Sequence, residues 1–351
     1  MTIPTTYMAA LLLCILSMIC WGSWAATTKL IPKWRFELYY FDYAIGVFLT
    51  AVLICFTFGT LGSEITFQDN LTIIRARPMA YALGAGIVFN LGNMLLVAGI
   101  SVAGLAVAVP VGVGLGLVLG AGVNYLLRPE GNPSFLFLGG AIVLVSIGVA
   151  AFAYKLLQDE RNADQPLAPA PETKRKQPIK VSPWKGLVLS ILGGLFLGGF
   201  FPLVQMTHGY EIEMGPYPIL ILVAAGVLSS TFLFNIFFIS LPVQGKPVAL
   251  ANYFKAPKKN HLAGLLGGFV WCAGLAANLV AVSVPPEVTL GATASYGLGQ
   301  GGVVLSALWG LLYWKEFADS KDKSRLFIWL SLPVFAVGLA LVSVAPLYMR
   351  K

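Results

Sequence analysis

Of 351 residues, 58% are hydrophobic and only 11% charged, and the mean hydropathy is +0.81. A water-soluble domain carries about a quarter charged residues, so a soluble globular fold is excluded. The net charge of +8 would speak for a nucleic-acid surface if the cations shared one patch, but they are scattered between long apolar runs.

Those runs are each long enough to cross a bilayer core as a helix. Ten spans are predicted, at 5–30, 39–62, 79–100, 103–127 and 134–157, then at 184–207, 216–241, 261–284, 287–314 and 325–347. The first is uncharged from Met1 to Thr28 and longer than a secretory h-region. Trp21 and Trp24 stand where a small-residue cleavage site would lie, so this segment reads as a retained helix. With the N-terminus outside, the inner loops hold 18 of the 23 Lys and Arg, among them Lys29, Lys33, Arg35, Lys246, Lys315 and Arg325. Only Arg75, Arg77, Arg128, Arg350 and Lys351 fall outside. This positive-inside bias places both termini outside a plasma or inner membrane. It makes the lipid bilayer, and no nucleic acid, the expected partner.

Between the fifth and sixth spans, residues 158–183 form the one long polar stretch, with DERNADQ, PLAPAP and ETKRKQPIKVSP. Such a composition cannot bury a core and reads as a flexible cytoplasmic linker. It separates residues 1–157 from 184–351, two halves of five spans each. A shift of 182 residues brings Gly86 onto Gly268, Gly92 onto Gly274 and Ser101 onto Ser283. Two related units with an odd number of spans must lie upside down relative to each other, which is the inverted-repeat plan of secondary transporters. The predicted fold is thus an all-α bundle of ten transmembrane helices in two inverted repeats. Gly112, Gly116 and Gly120 in the fourth span, and Gly194 and Gly198 in the sixth, suit close helix contact. The fourth and ninth spans are rich enough in glycine to bend.

Neither catalytic nor metal chemistry has a visible seat. Cys14, Cys20, Cys55 and Cys272 lie inside spans without metal-ligand spacing, and the two histidines, His208 and His261, sit near span ends. No P-loop, nucleophile elbow or zinc-protease motif occurs. The reading is a transporter, not an enzyme, driven by a gradient and needing no cofactor or metal.

Polar groups inside spans are costly in lipid and usually face the bundle interior. Asp42 lies about one turn into the second span, either pairing with Lys29 or Lys33 at the interface or serving as a protonatable group on the cavity. Glu287, after Pro285 and Pro286, either complements a helix N-terminus or takes the coupling role as second choice. Glu316, beside Lys315, reads as a boundary charge. Asn90 and Asn93 are three apart, on one face near mid-span, and two amides can read the donor and acceptor edges of a solute. Gln300 is a single amide in the ninth span. Trp21, Trp24 and Trp271 lie away from the interfaces where tryptophan belts belong; they either pack the core or wall a planar or sugar-like solute.

Several of these stretches together resemble a known family. Trp21-Gly-Ser-Trp24 resembles a G-T-W-P element, and Tyr40-Phe-Asp-Tyr43 a Y-L-D-Y element. Residues 84–93, GAGIVFNLGN, resemble A-G-G-I-V-L-S-L-G-N, and Trp309-GLLYWK-Glu316 closes the series. They look like the drug/metabolite transporter superfamily, and within it the ureide permease family, with glucose/ribose and rhamnose permeases as neighbours. The resemblance implies proton-coupled uptake of small polar nitrogen heterocycles such as allantoin, uracil or related nucleobases, and it carries Asp42 and Asn93 over as functional. Two departures stand out: Ala25 replaces the proline after tryptophan, and the linker is shorter than in plant members. A sugar or nucleoside permease, or an exporter of drugs or metabolites, is the alternative. Asp42 and Glu287 are the proton-coupling candidates, and Trp21, Trp24, Asn90, Asn93, Trp271 and Gln300 the substrate-binding ones. Monomer and homodimer are both open.

Overall fold

The computed structural model describes residues 1–62, 64–127, 129, 131–163, 183–243, 245–285, 292–345 and 348. All regular structure among them is helical. Helix α1 (Tyr7–Ser23) runs into a 3-10 stretch, Trp24–Leu30, and is followed by α2 (Phe36–Thr57) and a short α3 (Phe67–Ile73). Then come α4 (Ala76–Ala103), α5 (Leu105–Leu127) and α6 (Pro133–Ala163). The second half contributes α7 (Pro183–Gln205), α8 (Pro216–Ser240), a single turn α9 (Ala251–Phe254) and α10 (Lys258–Val282). It ends with α11 (Ala292–Gln300), α12 (Gly302–Leu308), a π-helical turn Trp309–Tyr313, and α13 (Asp322–Val344).

Among the described residues nine helices are long and apolar enough to cross a membrane. They turn large apolar side chains such as Leu53, Phe137, Leu233 and Val337 outward, which water would penalise and lipid accepts. The expected span 287–314 is not one helix in its described part. It breaks at Gly301 and widens into a π turn at Trp309, so α11, α12 and the π turn share its length. Its start, with Glu287, lies outside the described residues. The fourth span, by contrast, stays continuous as α5 although Pro110 lies inside it. The linker also begins later than its composition indicates, because α6 carries on through residues 158–163.

The helices pack in matched pairs. α4 lies on α7 as α10 lies on α1, and α5 lies on α7 as α11 and α12 lie on α1. α2 lies on α10 as α8 lies on α4, while α2 meets α8 and α6 meets α13. Exchanging α1 with α7, α2 with α8, α4 with α10, α5 with the α11–α12 pair and α6 with α13 therefore returns the same set of principal contacts. The match extends to single residues. A methyl group on Gly46 would strike the Leu265 carbonyl, and one on Gly226 the Leu83 carbonyl. Likewise Gly86 abuts the Val223 carbonyl and Gly268 that of Tyr43. These four glycines let backbones touch where lipid supplies no hydrophobic drive.

At one end of the bundle the basic residues are tied to the chain. Arg35 donates to the Lys246 carbonyl at 3.3 Å, and Arg161 to that of Glu316 at 3.0 Å. Lys185 donates to the Val243 carbonyl. This is the basic end.

Candidate functional site

A cavity of about 70 Å³ lies at mid-length between the two halves. Its walls are aromatic. Phe89 of α4 stacks on Trp271 of α10, with centroids 4.2 Å apart and planes inclined 27°. Phe200 of α7, Tyr296 of α11, Trp21 and Trp24 add further rings, with Trp21 edge-on to Tyr296 at 6.3 Å. Phe201 stacks on Tyr296 from behind at 4.1 Å. Asn93 and Gln300 supply the amides, and among the described residues no charged side chain lines the space. Aromatic faces hold planar apolar surface, while two amides hold donor–acceptor edges. The cavity therefore suits a neutral planar ring with polar edges.

The walls come in matched pairs too. Gly92 lies against Leu197 as Gly274 lies against Trp21, and Gly22 meets Gly302 as Gly198 meets Gly120. Trp21 is thus the counterpart of Leu197, Trp24 of Phe200, and Phe89 of Trp271. All six line the cavity.

Five of the six residues expected to bind solute are brought together here: Trp21, Trp24, Asn93, Trp271 and Gln300. Asn90 is not among them. Its amide donates to Ser230 at 2.8 Å and to Thr231 at 3.1 Å, both on α8, in a buried helix-to-helix contact. Asn90 and Asn93 meet different neighbours, and only Asn93 of the pair lines the cavity. Asn93 donates to the Tyr40 hydroxyl at 3.0 Å, which ties the cavity to α2.

Asp42 is only 3% exposed, but it neither lines the cavity nor meets Lys29 or Lys33. The Tyr253 hydroxyl donates to Oδ1 at 2.6 Å, and His261 Nδ1 lies 2.9 Å from Oδ2. Both partners come from the segment that opens α10 at the basic end. Burial, aided by the neighbouring carboxylate, pushes the Tyr253 phenol above its ordinary range, so it stays a donor. Lys29 pairs instead with Glu316, at 2.8 Å. Glu316 is more than a boundary charge: its carboxylate accepts from the backbone amides of Leu105 and Ala106, each at 2.9 Å. It thereby caps the N-terminus of α5.

A larger hollow of about 440 Å³ opens at the basic end, between the 3-10 stretch, the start of α2 and α4. Its lining includes Lys29, Lys33, Arg35, Glu37 and Tyr39. The Tyr39 hydroxyl shares a 2.7 Å hydrogen bond with Thr27. One turn of α4 separates Val97 and Ile100, on this hollow, from Asn93 and Leu96, on the cavity.

Sequence reasoning missed His261 and Tyr253 as partners of Asp42, and it missed Phe89 and Tyr296 as walls. The 182-residue shift does pair Phe89 with Trp271, so that signal was readable. The contacts of Asp42 depend on a loop whose course no periodicity reveals.

Residues 39–182 match the ureide permease family model. Ureide permease 2 of Arabidopsis thaliana is 24% identical over 95% of this chain and 95% of its own. Ureide permease 1 of the same plant is 23% identical over 93% and 94%. Probable ureide permease A3 of Vigna unguiculata is 32% identical over 36% of this chain and 35% of its own. By family model and by curated relatives alike, the likeness is to ureide permeases, and members of that family are transporters, not enzymes.

Proposed function

From that likeness we propose that the protein is a proton-coupled secondary transporter that imports a small polar solute, a ureide or nucleobase of the allantoin or uracil type, by alternating access. The observation that carries the reading is the uncharged aromatic cavity with Asn93 and Gln300 in its wall. A neutral ring can leave water for such a site at little cost if its polar edges are met, whereas an ion would be stranded.

The architecture in this reading is ten spans in two inverted five-helix repeats, the broken α11–α12 segment being the ninth span. Support comes from the exchange of helix contacts, from the four matched glycine contacts, and from the cavity lying between counterpart residues. Discontinuous helices beside a central site are the usual transporter device. The basic end faces the cytoplasm of a cell membrane, which puts both termini outside.

Asp42 carries the proton. Deprotonated, it holds the start of α10 through His261 and Tyr253. Protonation removes the charge that His261 pairs with and loosens α10 from α2. Because Tyr40 of α2 holds Asn93, a shift of α2 reaches the solute site directly. Glu287 keeps its place as the second candidate, and solute and protons are the partners.

The test is uptake of labelled allantoin and uracil into proteoliposomes under an imposed pH gradient. Saturable uptake that an uncoupler abolishes is the expected result. Uptake indifferent to gradient and uncoupler would remove the coupling, and absence of uptake or binding of either compound would remove the substrate class.

A further inference from the structure

Beside the aromatic cavity lies a side chamber of about 30 Å³. The two spaces share Trp21, Trp24, Leu96, Val113 and Gln300. The chamber's other walls are small or aliphatic, among them Ala25, Gly302 and Val303, with one exception, Ser306 of α12. That serine is 2% exposed, and its hydroxyl makes no hydrogen bond among the described residues. A helical serine ordinarily returns its hydroxyl to a carbonyl one turn back. Ser230, Ser283 and Ser343 all do so here. A buried polar group left unpaired costs of order 1–3 kcal/mol, and such groups in native proteins usually await a water or ligand. Ser306 also lies just past the interruption at Gly301, where irregular backbone is tolerated because it borders a cavity.

We propose that the side chamber is a subsite for one exocyclic heteroatom of the carried ring, a carbonyl oxygen or amine nitrogen held by Ser306 and Gln300. This rests on the reading that a ring-shaped solute occupies the main cavity. The chamber has room for only one or two water-sized groups. It therefore admits a single heteroatom and refuses a ring that carries a methyl or a sugar at that edge. The serine hydroxyl can donate to a carbonyl or accept from an amine, and the glutamine amide offers both functions beside it. Selectivity between a bare base and its substituted forms then resides in α12 rather than in the aromatic walls.

The experiment compares uracil with 2-pyrimidinone and 4-pyrimidinone, each of which lacks one ring carbonyl, as ligands of the full-length protein in detergent. Affinities come from ligand-dependent thermal stabilisation. Ser306→Ala should weaken uracil by about tenfold, the worth of one hydrogen bond at such a site. It should leave unchanged the one pyrimidinone that lacks the carbonyl in the chamber. Val303→Ala, which widens the chamber without removing a polar atom, should improve binding of a methylated uracil that the unmodified protein binds poorly. Equal weakening of all three rings by Ser306→Ala, or of none, would overturn the subsite while leaving the function standing. If no ring stabilises the unmodified protein, the function reading fails first and the subsite falls with it.

Discussion

Helices α2 and α8 occupy equivalent places in the packing, yet their chemistry is opposite. The contacts of Gly46 and Gly226 set the register, so Tyr39, Tyr40, Phe41, Asp42 and Tyr43 stand opposite Ile219, Leu220, Ile221, Leu222 and Val223. In α2 this turn hydrogen-bonds Thr27, Asn93, Tyr253 and His261. In α8 it is wholly aliphatic. The same asymmetry holds elsewhere: Asn93 is matched by Leu275, and Trp21 by Leu197. Backbone contacts are thus duplicated, while the polar contacts of this turn exist in α2 alone. In the proposed transport cycle, the duplicated packing would guide the motion of the two halves, and the single-copy polar groups would set what that motion is coupled to.

The largest expected break is Asp42→Asn. It should abolish gradient-driven accumulation, because the amide cannot exchange a proton, yet it should leave solute-dependent thermal stabilisation in place. Leu222→Ala, at the counterpart position, should keep uptake sensitive to uncoupler and lower only stability, by less than the roughly 2–5 kcal/mol of a fully buried leucine, because Leu222 is only half-buried. Uptake that survives Asp42→Asn with full uncoupler sensitivity would move coupling to another group.

The duplicated side can be probed with Gly268→Val and Gly86→Val. Each drives a branched side chain into the facing backbone, at Tyr43 or at Val223. Overpacking of this kind costs typically about 1–3 kcal/mol and can exceed it. The two variants should lose melting temperature alike, since the contacts are matched. A loss confined to one of them would mean that the equivalence stops short of energetics. A smaller, more local effect is expected from Asn93→Leu, which makes the first half resemble the second. Affinity for uracil or allantoin should fall about tenfold. Stability without ligand should fall as well, by about 1–3 kcal/mol at most, because the buried Tyr40 hydroxyl loses its partner.

The sequence made the spans legible because lipid imposes a rule that composition cannot hide: a crossing helix must be long and uncharged. The cavity tryptophans were legible for a related reason. Trp21, Trp24 and Trp271 stood where no interface could explain them. Asp42 was visible as a costly charge, but its partners were not. Its neighbours arrive from α9 and α10, more than 200 residues along the chain, and spacing says nothing about such a meeting. Asn90 misled because two amides three apart can still turn to different helices. The break at Gly301 was half visible: the glycines announced a weak point, while nothing in the spacing marked Ser306, five residues on, as unpaired.

Glu316 gives the finest test of the asymmetry. It joins three elements at the basic end: the π turn that precedes it, Lys29 after α1, and the first amides of α5. Past the other end of α5, the start of α6 is closed without a charge: Asn132 Oδ1 accepts from the Ser134 amide. One end of α5 is therefore closed with a charge, and the turn after its other end with a neutral cap. Glu316→Gln keeps an acceptor for one α5 amide but removes both the ion pair and the charge at the helix N-terminus. The pair is partly exposed, with side chains 29% and 12% accessible, so solvent screening holds its worth to about 1 kcal/mol or less. The melting temperature should fall by only a few degrees at most, and Lys29→Met should produce a similar drop. Because both changes remove the same ion pair, the double variant should lose less than the two single losses together. Full additivity would show that Lys29 and Glu316 act separately. The carboxylate would then serve α5 alone, and the charged closure would be no more than an ordinary helix cap.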